Sequence, residues 1–340
     1  MRRLCRKGGA MRQRAALLFM AVMLLVTCAL SSCGSSAKAE DGKPLSIVTT
    51  SFPPYDFARA VAGDSAQLTM LLCPGAEAHS YEPTPLDIAK IQACDVFVYI
   101  GGEGEVWVDK ILDSIDTSDK TVIRLFDFVS PLEEEEVGGE HHHDHDHHDE
   151  EEEEEEEEEP EYDEHIWTSP RNAMLCVEGV CEELCQAASE KGSSDLEESF
   201  RASSSDYIQR LSSLDQRYEE MSAGAPSHLI VVGDRFPFRY LASDYGLEYM
   251  AAFSGCSSET EPGVYTMALL IDEILEHHVD TVFCLEFSTK KLAEKLCSAT
   301  GAQMLTLHSL HNVSAEDFRS GVTCADLMEN NLDALKEALY

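Results

Sequence analysis

Four side chains able to offer a lone pair to a cation stand just beyond apolar, strand-like runs of this sequence. His79 follows 67-QLTMLL-72, and His165 lies in 162-YDEHIWTSPRNA-173, immediately before a capped helix pattern. Glu286 ends 279-VDTVFCLE-286, and His308 ends 302-AQMLTLH-308. One histidine at a strand end is ordinarily incidental; the joint placement of the four carries the reading. Three imidazoles with a carboxylate suit Zn2+, and suit Mn2+ or Fe2+ less well. A different chemistry is offered by 140-EHHHDHDHHDEEEEEEEEEEP-160, where His141, His142, His143, His145, His147 and His148 precede ten glutamates. Imidazoles this dense bind zinc weakly at neutral pH and release it as they protonate below about pH 6. The glutamates raise the local concentration of cations.

The elements that must position these groups follow a regular order. From Leu45 come the strand runs 45-LSIVTT-50, 67-QLTMLL-72, 95-DVFVYIG-101 and 121-TVIRLF-126, with a helix pattern before each of the last two. The helix over 84–93 has Thr84 as N-cap, Pro85 at its first position and Asp87 where a capping box needs an acid. A helix is predicted over 168–188 and a long one over 195–222, on which Phe200, Tyr207, Leu211, Leu214 and Tyr218 recur at helical spacing. Strand runs 228–233, 248–253, 279–285 and 302–307 then alternate with helices at 236–245, 263–277 and 288–299, and a helix over 323–339 closes the chain. Short apolar runs between capped helices read as buried parallel sheets. The expected fold is therefore α/β, with two lobes, each a parallel four-stranded sheet flanked by helices, joined by one long linker helix. In such lobes ligands bind beyond the carboxyl ends of the strands.

The N-terminus carries six basic residues by position 14, then an apolar stretch from Ala15 to Leu30. That stretch is shorter than the ~20 residues of a spanning helix and reads as a signal segment. It ends in 30-LSSC-33, which resembles a bacterial lipobox and makes Cys33 the lipidated first residue; Cys28, after Thr27, is the weaker candidate. The expected division is a lipoprotein signal peptide at 1–32, a flexible tether at 33–44 and a metal-binding lobe at 45–192. The loop 133–161 inside that lobe has almost nothing apolar and is expected to be disordered; a linker helix at 193–225 and a second lobe at 226–340 follow. The formal net charge is −39 although the leader is basic. Such a chain does not neutralise phosphates, which excludes nucleic acid and favours cations as partners. Of twelve cysteines none forms a CxxC pair, and Cys176, Cys181 and Cys185 share one predicted helix, where small buried hydrophobes are the ordinary reading and a shared metal or bond by Cys181 and Cys185 the other.

Three segments carry a family resemblance: 75-GAEAHSYEPTPLDIAKIQACDVFVYIGG-102, 163-DEHIWTSPRNA-173 and 284-CLEFSTKKLAEKLCSATGA-302. Together they resemble the metal-binding lipoproteins of bacterial zinc and manganese ABC importers, the ZnuA/TroA type, from about Ser46 to Leu339. The resemblance implies His79 as first ligand, His165 as second and Glu286 from the third segment. It implies Zn2+ as the transported ligand, with Mn2+ possible, and a membrane permease as partner. It also implies a monomer, lipid-anchored on the extracytoplasmic side of the cell membrane. The family's third histidine is missing: 233-GDRFPFRYLASDYG-246 holds Arg235 at that place, with Asp234 beside it. Arginine has no lone pair to give. His308 is taken as the replacement, with His311 or Asp234 as alternatives, and Arg235 is expected to hold a carboxylate such as Glu286. The run at 133–161 fills the slot where zinc-specific members carry a histidine-rich loop. It reads as an accessory collector, against plain solvated low complexity.

Two other classes compete. A zinc hydrolase also uses three protein ligands and an open position, but HExxH, a phosphate loop and a nucleophile elbow are all missing from this sequence. A zinc-containing adhesin is the other. Deleting 133–161 is expected to remove the weak zinc sites seen by titration calorimetry while changing the tight-site Kd by less than about tenfold; loss of tight binding with the loop would overturn the two-site reading.

Overall fold

A computed structural model describes residues 44–135, 161–255, 257 and 263–340. The leader, Cys33, the tether up to residue 43 and the loop histidines between positions 141 and 148 lie outside the described residues.

The apolar runs form two sheets. Strands β1 (Leu45–Thr49), β2 (Ala66–Met70), β3 (Val96–Tyr99) and β4 (Thr121–Arg124) lie in the order β2-β1-β3-β4. Strands β5 (Leu229–Phe236), β6 (Glu248–Ser254), β7 (Thr281–Leu285) and β8 (Gln303–Leu307) repeat that topology as β6-β5-β7-β8. All strand pairs are parallel. The chain between strands forms helices α1 (Phe52–Ala62), α2 (Pro85–Ala93), α3 (Val106–Leu112), α4 (Pro170–Glu190), α5 (Leu196–Gly224), α6 (Arg239–Tyr245), α7 (Val264–Glu276), α8 (Lys291–Thr300), α9 (Ala315–Ser320) and α10 (Cys324–Leu339). The two-lobed α/β architecture with a long connecting helix is thus as expected. Helices α1 and α9 were not anticipated, although Ser51 in extended conformation before Pro53 and Pro54 is a helix start. The capping box at Thr84 and Asp87 is present, and Thr323 with Asp326 forms a second. The predicted loop 133–161 contracts at both ends. Glu133 bridges Tyr162, Glu134 N–H donates to the Glu161 carbonyl and Asp163 N–H to that of Leu132. Backbone pairing, which needs no apolar side chain, closes the neck of the loop.

Alternation along the strands sends side chains to two faces. Ile47, Val96, Val98, Ile230, Val232 and Phe283 all face one central core, shared by both sheets with α4, α5 and α10. Val48, Phe97 and Tyr99 face a second core, and Val231, Val282 and Cys284 a third. The two halves are therefore packed onto common helices. The eight described cysteines are free thiols, and Cys176, Cys181 and Cys185 are buried in α4. No helix among the described residues is long and apolar enough to cross a membrane.

One buried carboxylate ties the parts together. Asp56 of α1 is fully buried. It pairs with Arg59 and accepts from Tyr207 of α5 at 2.6 Å and from the Cys324 amide at the start of α10 at 2.7 Å. Asp56→Ala leaves a phenol and an amide without their acceptor and takes the charge partner from Arg59, which keeps only the Val322 carbonyl. The variant is expected to be less stable by about 3–5 kcal/mol, read as a lower urea midpoint; a loss under ~1 kcal/mol would show the tie to be dispensable.

Candidate metal centre

The parallel topology puts every loop that follows a strand on one side of its sheet, and the loops of both sheets meet around one cavity of about 80 Å³. His79 lies in the loop after β2. His165 sits just ahead of α4, anchored by the fully buried Trp167 and by Ser169, which caps that helix. His311 follows β8. One nitrogen from each of these three rings lies within 4.8 Å of the other two, and among the described residues this is the one group of three or more metal-ligating side chains so placed. A tetrahedral zinc with bonds of ~2.0–2.1 Å would draw them closer still.

Each ring is held so that a lone pair stays free. The His165 Nδ1 lies 3.1 Å from Asp163 Oδ1, which fixes the proton on that nitrogen and leaves Nε2 buried with no partner. The His79 Nδ1 lies 2.9 Å from Glu77 Oε1 in the same relation, and its Nε2 is 4.0 Å from Glu164 Oε1. The His311 Nδ1 is also buried without a partner. Burial, reinforced by the two neighbouring imidazoles, pushes His311 well below the usual histidine range, so the ring is neutral. Burial also opposes charge on His165, but Asp163 outweighs it and the net direction is upward. The hydrogen bond from His79 holds Glu77 below the usual carboxylate range. Gly255 allows the close approach: a Cβ there would meet Asp163 Oδ2 and His165 Nδ1, both at 3.2 Å.

The sequence-predicted residues divide. His79 and His165 join the cluster. His308 does not. Its Nδ1 accepts from the Leu310 amide at 3.0 Å and faces Glu286 Oε1 at 3.5 Å, so that lone pair is already engaged. Leu310 then adopts φ +63°, and the turn this creates aims His311, not His308, into the cavity. Glu286 lines the cavity but is held by Ser309, whose amide and hydroxyl donate to it at 2.9 and 2.7 Å. Asp234 lines the cavity outside the cluster. The expected Arg235–Glu286 pair is not what forms: Arg235 donates to the Ser257 carbonyl at 2.6 Å and lies 4.0 Å from Glu77. Asp234 and Arg235 stand where the β5–β6 register shifts, an irregularity that re-aims side chains. Sequence reasoning missed Glu77, Asp163 and Glu164, although an acid beside or two before His79 and His165 is the pattern that second partners make.

A second carboxylate pocket lies behind His79. Glu105 is buried and its Oε2 accepts from the Ile100 and Gly101 amides at 2.7 and 2.9 Å. Glu164 accepts from Gly104 N–H at 2.7 Å, and a Cβ on Gly104 would collide with Glu164 Oε1 at 2.6 Å.

Two like sheets, a shared helical core and an imidazole cluster at the strands' carboxyl ends define a two-lobed binding protein with a transition-metal site. The chain belongs to the family described as zinc-uptake complex component A periplasmic, whose profile matches residues 47–338. It is 36% identical over 316 residues to the zinc-binding lipoprotein AdcA of Streptococcus pneumoniae (strain ATCC BAA-255 / R6), a match over 93% of this chain and 58% of that protein. The chain thus spans little more than half the length of that relative. It is 32% identical over 317 residues to the high-affinity zinc uptake system protein ZnuA of Bacillus subtilis (strain 168), over 93% and 94% of the two chains. The crystal structure of the Zn(II)-bound ZnuA-like domain of Streptococcus pneumoniae AdcA aligns with a TM-score of 0.69 at 32% identity, over 87% of this chain and 99% of that one. The resemblance read from the motifs is borne out, and the family is one of uptake components rather than enzymes.

Burial pushes Glu105 up to about 7, with the neighbouring Glu164 adding to the shift. A carboxyl raised in the fold favours folding while protonated, so that contribution is present below the ordinary ~4.3 and is lost as pH rises through about 7. Glu105→Gln is expected to match the natural protein near pH 4 and to be more stable near pH 8 by roughly 1–3 kcal/mol. Denaturation at the two pH values checks this; an equal effect at both would show that ionisation is not the cause.

Proposed function

We propose that this chain is an extracytoplasmic solute-binding lipoprotein that captures Zn2+ between its two lobes and delivers it to an ABC importer permease. His79, His165 and His311 hold the ion, and Glu286 on the cavity wall is the fourth donor. The observation that carries the reading is the imidazole trio, in which the His165 Nε2 and the His311 Nδ1 are buried without a partner. Buried polar nitrogens left without a partner are costly in a stable fold, and a ligand that uses them offsets that cost. Nitrogen donors favour Zn2+ over Mn2+. The charge of the cavity supports a dication: Glu77, Asp234 and Glu286 line it against the single guanidinium of Arg235. Residues 45–192 and 226–340 are the two lobes in this reading, with 193–225 connecting them. Cys33 carries the anchor and the histidine/glutamate run is an accessory collector. The chain works as a monomer, lipid-anchored on the extracytoplasmic side of the membrane.

His79→Ala, His165→Ala and His311→Ala are each expected to weaken tight zinc binding on the order of a thousandfold, about 4 kcal/mol, in competition titrations. His308→Ala should stay within a factor of about three, under ~0.7 kcal/mol. A tight site lost in His308→Ala and kept in His311→Ala would reverse the ligand assignment without touching the transport reading.

A further inference from the structure

His311 belongs by sequence to the second sheet, since it follows β8. By hydrogen bonding it belongs to the first. Asn312, 2% exposed, spends both donors of its carboxamide on the first half, giving 2.8 Å bonds to the carbonyls of Cys73 and Ala76, more than 230 residues away. Its Oδ1 accepts from the Val313 amide at 2.8 Å. The Gly75 amide donates to the Val313 carbonyl at 2.8 Å, and the Phe52 amide, at the start of α1, donates to the His311 carbonyl at 3.3 Å. Trp167 Nε1 donates to the Ser309 carbonyl at 2.9 Å. The segment 309–313 is thus stitched to the loop that carries His79 and to the turn that carries His165. The left-handed Leu310, fully buried, is the kind of strained residue that persists only where its surroundings over-determine it.

We propose that Asn312 is a positioning residue of the metal centre: it clamps the His79 loop to the His311 segment, so that imidazoles from both ends of the chain form one platform assembled before metal arrives. This rests on the metal-binding reading above. An amide side chain can make four hydrogen bonds, and this one makes three in a place closed to water. Aspartate at this position would set an anion against two carbonyl oxygens, and alanine would leave both carbonyls unpaired. A clamp of this kind fixes the separation of the His79 and His311 rings, now 5.2 Å between centroids. It thereby fixes the geometry that selects a small tetrahedral ion.

The test loads the full chain with Co2+, whose visible spectrum reports the number and arrangement of nitrogen ligands. Asn312→Ala and Asn312→Asp are compared with the natural protein and with Arg217→Ala. Arg217 pairs with Glu329 of α10 at 2.7 Å, far from the ligands, and serves as a purely structural control. Both Asn312 variants should lose the natural spectrum and bind zinc about 10–100-fold more weakly, while Arg217→Ala, which breaks a partly exposed pair, leaves the spectrum and the affinity alone. Asn312 variants with an unchanged spectrum and affinity overturn the proposal. Should those variants fail to fold, hydrogen exchange of the natural protein decides: the Phe52 and Gly75 amides should be equally protected with and without zinc, and protection only with zinc overturns it. A natural protein without any tight Co2+ or Zn2+ site would instead overturn the metal-binding reading on which the proposal rests.

Discussion

Three imidazoles held close together, two of them buried with a ring nitrogen that has no partner, form an unfavourable arrangement until a cation joins them, and much of the structure is what maintains it. Protonation would relieve the unpaired nitrogens, yet burial and mutual repulsion keep His311 uncharged. Asp163 pulls His165 the other way, but its hydrogen bond also fixes which nitrogen carries the proton. The outcome is a ring oriented from behind with its other lone pair directed into the cavity. Glu77 does the same for His79 from a more exposed position. These carboxylates orient the rings and fix their tautomers, which is the general work of groups one step removed from a metal.

Holding such a site requires the two sheets to keep a fixed relation. Their inner faces share a core with α4, α5 and α10, and Asp56 links α1, α5 and the start of α10 through buried hydrogen bonds. A core packed at crystal-like density transmits small shifts and resists large ones. Both sheets also reverse strand order between their first and third strands, at β1/β3 and β5/β7, and a crevice forms there. Glu286 follows β7 at that crevice in the second sheet. The repeated topology therefore supplies two facing crevices, and the segment after β8 crosses between them.

Much of this was legible in the sequence. Apolar runs of four to eight residues bounded by capped helices marked all eight strands, and the Phe200–Tyr218 spacing marked α5. His79 and His165 were legible because each sits in a stretch whose residue pattern is distinctive. His308 was preferred over His311 because it lies near the place where the resembling family offers an acid after a strand. The chain turns left-handed at Leu310, a conformation bulky residues seldom adopt and nothing in its side chain announces, and His311 rather than His308 lines the cavity. The Asn312 bonds were invisible for a related reason. They join positions more than 230 residues apart, and no local pattern encodes such a pairing.

The acidic composition and the imidazole trio solve different parts of one problem. Carboxylates attract every divalent cation, and in 0.15 M salt their reach is only about 8 Å. Ten glutamates in a row can therefore raise the number of encounters near the chain, but carboxylate oxygens are equally the ordinary ligand type of calcium and magnesium. Discrimination needs softer donors at fixed separation, and neutral nitrogens in a confined space supply them. His79, His165 and His311 have both the donor type and the separation, because a buried asparagine, two carboxylates and a strained turn determine where each ring stands. On physical grounds a selective site needs donors of that kind at fixed separation, which carboxylates alone do not supply.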